Sequence, residues 1–504
     1  MKNYLLFFSL IFIIILSSCR DDFETVPSTG DLRFSKDTVY LDTVFTNIGS
    51  STYNLRVYNR SNNDIYIPSV RLAKGESSNY RLNVDGLPGK SFENIEILAK
   101  DSMYVFVETT IDVSSEPDPL YTDEILFDNG ENIQDVHLVT LVQDAVFIKP
   151  NQNPITRVID SLTLNGQPTT IKGRFLEDSE LNFTNEKPYV IYGYAAVAEN
   201  KTLTIDAGAK VYFHENSGFI IDDKATLKIN GERDNQVIIE GDRLEPNFSE
   251  TPGQWGAIWM RAGSRDHEIN YTTIKNGSIG ILLDSIGSNS TPTLTIKNSQ
   301  LYNHSNYGIL GRETNILGEN VVINNAGFSS LACIIGGTYN FTHSTFANYW
   351  NNSFRQFPTV LVNNFFTYID NGSEIVETRN LVEANFTNCI IYGSNNIELL
   401  LDRVDGSDFN YNFKNNLIRF NDFNNNYSGI TEYDFTDMVH FQNNILNETP
   451  HFKDSFINDL IIGQESAGNG LASTTEAMQV PEDILGVSRI SSPDIGAYQH
   501  IEFE

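Results

Sequence analysis

Basic residues are scarce in this 504-residue chain. Its 34 Lys and Arg stand against 65 Asp and Glu, a formal net charge of −31. Phosphate backbones are held by clustered Lys and Arg, so nucleic acid is excluded as a partner class. A polyanionic glycan is repelled on average unless a cation or a local basic patch intervenes. Cysteine is scarcer still, at three residues, and no disulfide framework or metal-spaced Cys/His set can be drawn. Cys333 and Cys389 sit in the apolar runs LACII and NCIIY and read as buried free thiols, with a disulfide between them as the alternative. Beyond Leu16 no apolar stretch is long enough to cross a bilayer, and no segment sustains a 3.6-residue period. Gly-rich phosphate loops, nucleophile elbows and metal-spaced His sets are missing as well. What the chain has is 40% apolar and 12% aromatic residues, ample for packed cores. Its length exceeds one ordinary compact domain, so several domains or a long repeat array are expected.

The N-terminus reads MKNYLLFFSLIFIIILSSC. Lys2 supplies a positive start, and Leu5 to Leu16 form an apolar run short for a membrane span, the pattern of a signal peptide over 1–18. Leu16-Ser17-Ser18-Cys19 resembles the lipobox of bacterial lipoproteins, in which cleavage precedes the Cys and its thiol carries diacylglycerol. Asp21 and Asp22, within an acidic tether over 19–30, resemble the surface-export signal of Bacteroidetes lipoproteins. The resemblance implies a lipid anchor at Cys19 in the outer membrane, with the protein facing the cell exterior. Five Asp-Ser/Thr-apolar triplets, among them Asp37-Thr38-Val39 and Asp160-Ser161-Leu162, also resemble the O-glycosylation signal of exported Bacteroidetes proteins.

The fold class read from the sequence is all-β. Residues 31–145 alternate apolar and polar in runs such as YNLRVYNRS and SMYVFVETTID, which predicts an antiparallel sandwich of about seven strands. The run from Thr38 to Val70 resembles the Ig-like modules of bacterial surface proteins. Residues 146–187 read as an irregular connecting segment. From 188 to about 450, short apolar triplets such as LTI, VYF, FII, LKI and VII recur every eight to ten residues with Gly, Asp and Asn between them.

A longer repeat overlies this. Tyr271-Thr272-Thr273-Ile274-Lys275-Asn276 aligns with segments centred on Leu301, Ile323, Phe346, Ile391, Ile418 and Leu446, at intervals of 27, 22, 23, 45, 27 and 28 residues. The 45 reads as two turns, one of them divergent around VLVNNFF. Three short strands per such unit predict a right-handed parallel β-helix, with Ile, Leu and Phe stacked inside. Asn276, Asn303, Asn325 and Asn348 then form a ladder at the bends, where Asn tolerates the left-handed backbone. LTIDAGAKVYFH, PGQWGAIWM and GSRDHEINYTTIKNGSIGI resemble right-handed β-helix lipoproteins of Bacteroidetes. PDIGAYQ resembles an ending common to β-helix proteins related to polysaccharide lyases, and residues 451–504 are expected to cap the last coil.

Catalytic candidates are sparse. Asp402, Arg403, Asp405 and Asp408 in LDRVDGSD form the best candidate ligand-binding loop. Trp255 and Trp259 are expected on one face by alternation, Trp259 as a sugar-stacking surface and Trp255 as packing. Arg261, Arg265, Asp266 and His267 read as a solvated turn, and Asp222, Asp223, Glu240, Asp242 and Arg243 as corner chemistry. The expected function is a non-catalytic surface scaffold for a polysaccharide or a surface protein, without a cofactor. The alternative is an extracellular polysaccharide lyase, with calcium, or a glycoside hydrolase.

Overall fold

Runs in which every second residue is apolar become strands because a pleated backbone sends alternate side chains to opposite faces. The computed structural model describes residues 24–115, 118–128, 130–284 and 291–503. It is all-β and divides into two compact units, 1–144 and 145–504. No helix among the described residues is long and apolar enough to cross a membrane.

In the first unit, Ser102–Thr109 shows the rule: Met103, Val105 and Val107 are buried, while Tyr104 and Phe106 face solvent. Eleven strands form a six-stranded and a five-stranded sheet, and inward residues of both share one core that includes Leu55, Val57, Val105, Ile125, Phe127 and Leu138. The expected count of seven falls short because pieces such as Val26–Pro27, Arg33–Phe34 and Leu87–Gly89 are too brief to show a period. Nor is the pairing wholly antiparallel: Thr38–Phe45 runs parallel to Ile133–Gln143. The intervening chain is long enough to carry the crossover that a parallel pair requires.

In the second unit, 27 strands join one sheet system in which a strand commonly pairs in parallel with the third strand after it. Equivalent residues therefore stack. One column runs Ala195, Phe219, Ile258, Ile281, Ile309, Leu331, Val360 and Leu399. A second runs Val211, Ile239, Ile274, Leu301, Ile323, Phe346, Ile391, Ile418 and Leu446, as the repeat alignment predicts. A third passes from Ile269 and Ile296 through Gly318 to Phe341, Phe386, Phe413 and Phe441. There the phenylalanines stack face to face, Phe386 on Phe413 at 5.0 Å and 2°. Gly318 marks the change from Ile to Phe, because a Cβ on it would lie 2.3 Å from the Phe341 ring. Gly318→Ala is expected to cost about 1–3 kcal/mol by overpacking, measured as a lower urea midpoint followed by tryptophan fluorescence. All three tryptophans lie in this unit, so that signal reports it alone.

In the second unit four expectations give way. Phe346 pairs directly with Ile391, so the 45-residue interval is one enlarged turn. Val360–Asn363 is its own strand, and Phe365–Asp370 with Ser373–Thr378 forms an inserted antiparallel hairpin. The segment 146–187 is not merely a connection: Val146–Ile148, Gln167–Phe175 and Asn182–Phe183 already pair in parallel with the stack. Trp255 and Trp259 do not share a face, since a register irregularity between Ala257 and Ile258 turns Trp255 into the core and leaves Trp259 outside. Finally, the C-terminal segment lies along a flank rather than over the last turn. Ile484, Ala497 and Tyr498 cover outward Tyr302, Val322 and Ala347, while Ile495 covers Ile390 and Leu417. Those outward apolar residues span several turns and need a lateral cover. The edge of Leu399–Asp402 is closed instead by Tyr433, whose Oη accepts from Leu401 N at 2.8 Å and donates to Leu401 O at 3.0 Å.

Candidate functional site

The Asn ladder starts as a backbone requirement. Asn276, Asn303 and Asn325 have φ of 71°, 58° and 58°, a region L residues rarely occupy and Asn tolerates. Their side chains are then spent in different ways. Asn276 Nδ2 donates to Ser249 O at 2.8 Å, tying the loop 242–254 to the stack. Asn325 Nδ2 donates to Asn303 Oδ1 at 2.6 Å, and Asn303 Nδ2 donates to the Glu250 carboxylate. Asn348 leaves the ladder: it does not have positive φ, and its amide donates to Ala326 O at 2.9 Å. The Oδ1 of Asn325 is consequently buried without a hydrogen-bond partner. A second column, not singled out from sequence, joins Asn270, Asn298 and Asn320 by amide bonds of 3.0 and 2.8 Å.

Two walls rise beside Asn303 and Asn325. One is the loop carrying Glu250, Thr251 and Pro252; Gln254 Nε2 braces it by donating to Phe248 O and Thr251 O at 2.6 and 2.9 Å. Lys275 Nζ lies 3.2 Å from Glu250 and 3.1 Å from Glu240. Burial pulls the Lys275 pKa down, but the two carboxylates outweigh it and hold the ammonium above its ordinary value. The other wall is 455–458, where Asn458 Nδ2 donates to Asn303 Oδ1 at 3.2 Å and Asn324 Nδ2 donates to Ser455 O at 2.8 Å. Trp350, Asn351 and Asn352 complete a cleft of about 710 Å³. Phe456 and Ile457 on its rim are each 70% exposed. Sequence reasoning missed this cleft because its walls come from loops as far apart as Glu250 and Asn458; only Asn303 and Asn325 were marked, as structure.

The predicted loop is partly assembled. Asp402, Arg403 and Asp405 line a second cleft of about 390 Å³ with Tyr427, Glu432 and Tyr433. Arg403 pairs with Asp405 at 3.0 Å and Glu432 at 3.3 Å. Burial pushes the Asp402 carboxyl above its usual range. Asp408 does not join them; its N–H donates to Asn380 Oδ1 at 3.0 Å. Trp259 lies outside both clefts. Its Nε1 donates to Asp284 Oδ2 at 2.7 Å, and it packs with Leu162, Leu164 and Ile220 beside the hairpin 161–175. Cys19, Asp21 and Asp22 fall outside the described residues.

The remaining charged candidates are paired or buried. Arg261 pairs with Asp222, and Asp242 with His214 Nδ1 at 2.7 Å, which raises the His214 pKa. His267 is not part of a solvated turn but is 1% exposed. Cys333 and Cys389 are free and buried, and burial pushes the Cys389 thiol up to about 12. In the first unit His137 lies between Glu124, 3.4 Å from Nδ1, and Asp135, 3.7 Å from Nε2. The carboxylates address opposite ring nitrogens, so the group reads as an exposed polar cluster.

No family model matches the sequence, and no curated protein matches it significantly. Among solved structures, a family 123 glycoside hydrolase from Clostridium perfringens, described for glycolipid glycan hydrolysis, aligns at 11% identity with a TM-score of 0.15. The alignment covers 22% of this chain and 26% of that one.

Proposed function

We propose that this protein is an outer-membrane lipoprotein facing the cell exterior, anchored through Cys19, with Asp21 and Asp22 as its export signal. Its second unit is a right-handed parallel β-helix preceded by an Ig-like sandwich, and it acts as a non-catalytic scaffold that binds a glycan or a surface protein. The three columns of parallel strands and the repeat of 22–28 residues support the fold reading. The observation that carries the binding reading is the cleft in which a hydrogen-bonded amide column meets exposed Phe456 and half-buried Trp350. Labelling cells with a radioactive fatty acid tests the anchor: label should enter the wild-type chain and be lost in Cys19→Ala. Equal label in both chains rejects the assignment. Digestion of the protein on intact cells by added protease tests the orientation.

A second reading, an extracellular lyase or hydrolase, draws on the raised Asp402 carboxyl beside Arg403, Glu432 and two tyrosines. It requires new reducing ends, or unsaturated uronates in the presence of calcium, from a polysaccharide incubated with the protein. Asp402→Asn should abolish that product.

A further inference from the structure

The ligand class of the larger cleft follows from its chemistry, on the premise that the second unit is a binding scaffold. We propose that it holds an uncharged, extended, β-linked hexose polymer lying along the Asn303–Asn325 column. A pyranose ring offers an apolar face and an edge of hydroxyls. The cleft offers both complements within one groove: Trp350, Phe456 and Ile457 for the face, the exposed amides of Asn351 and Asn352 and the Glu250 carboxylate for the edge.

The direction of the chain comes from the stack. Asn303 and Asn325 are hydrogen-bonded neighbours on successive turns, and Trp350 follows on the next. Parallel strands sit about 4.8 Å apart, so three turns present polar and aromatic groups over roughly 10 Å. A ladder of that pitch suits a straight chain of sugar rings, each ring meeting one turn; a coiled α-linked chain would leave the column.

The absence of ligand charge follows from the electrostatics. The carboxylate of Glu250 is 60% exposed on the cleft wall, and the Lys275 ammonium beside it is already shared with Glu240. No Arg or Lys lines the cleft among the described residues. Within a chain of net charge −31, a uronate or sulfate group would meet repulsion with no local cation to offset it. Glu250 is held by Asn303 and Lys275 in a fixed orientation, so it can accept from hydroxyls with little ordering cost.

Affinity electrophoresis of the full chain in gels containing a β-glucan, a β-mannan or polygalacturonate tests the assignment, with Trp350→Ala and Phe456→Ala run alongside. Retardation is expected in a neutral β-linked polymer and not in polygalacturonate. Each substitution should weaken the apparent affinity about tenfold, the effect of losing one stacking ring. Phe456 is exposed, so its variant keeps the test valid if Trp350→Ala fails to fold. Retardation that both variants retain in full would overturn the site while leaving glycan binding standing. Retardation only in polygalacturonate, or in none of the gels, would overturn the ligand class while leaving a protein-binding scaffold standing. New reducing ends in the retarded lanes would reject the scaffold premise itself.

Discussion

Glu398→Ala is expected to destabilise the second unit by about 3–5 kcal/mol, because it strands a buried guanidinium. Glu398 and Arg355 are 0% and 2% exposed, and the carboxylate accepts from both Arg355 Nη1 at 2.8 Å and Nη2 at 2.6 Å. It also accepts from Thr359 N, Thr359 Oγ1 and Asn395 N at 2.9, 2.8 and 2.7 Å. Arg355 in turn donates to Phe357 O and Asn348 O. The pair therefore clamps the excursion from Asn348 to Thr359, which carries Trp350 into the cleft. An apolar pair removes both charges together, so Arg355→Met with Glu398→Leu should recover the part of the loss due to the stranded guanidinium, while Thr359 N and Asn395 N still lack their acceptor. The check is urea unfolding followed by tryptophan fluorescence. A loss under 1 kcal/mol for Glu398→Ala would show that the pair is hydrated in solution. The same substitution should weaken glycan retardation, since the backbone under Trp350 loses its anchor.

Acid should destabilise the same unit well above the pH at which carboxylates titrate. His267 and His304 are 1% and 0% exposed, and burial depresses their pKa values to about 3 and about 4. His343, also buried, is depressed in the same direction by burial and by Arg489. His267 is held neutral by its contacts: Leu227 N–H donates to Nδ1 at 3.0 Å, leaving the ring proton on Nε2 for Ser264 Oγ at 3.0 Å. Below about pH 6.5 the unfolded chain takes up protons on these rings that the folded chain refuses, so stability is full above that pH and falls toward the folded values. Between pH 7.5 and 5.0 each such ring removes about 2 kcal/mol, so His267 and His304 together remove about 4. His267→Gln should shrink the pH-dependent loss by about 2 kcal/mol, read from urea midpoints at the two pH values. Equal losses in wild type and variant would mean that His267 is protonated in the folded protein.

Much of the second unit was legible in the linear chain. A period is visible when every copy solves the same local problem. The first position of each aligned segment, Tyr271, Asn298, Asn320, His343, Asn388, Asn415 and Asn443, has positive φ. Five of those seven are Asn, which is the residue that conformation selects. The apolar central residues stack in register for a similarly local reason: each must face the core one turn above its predecessor. The alignment failed only where local rules were interrupted. An inserted hairpin at 365–378 lengthened one turn to 45 residues, and a bulge beside Ala257 reversed the face of Trp259.

The candidate site was legible only in fragments, for a different reason. Asp402, Arg403 and Asp405 share a cleft because they are neighbours in sequence, yet Tyr427 and Glu432 arrive from the loop that closes the strand edge. The larger cleft has no linear signature. Asn303 and Asn325 look like ordinary corner residues until the loop at 250 and the C-terminal segment at 456 stand on either side of them. One residue and its near neighbours are enough to decide the all-β class, the repeat period, the apolar columns and the left-handed corners. Tertiary structure alone decided which polar groups meet. Stacking brings residues far apart in the chain to within hydrogen-bond distance, and a position's own composition carries no record of the loop that will cover it.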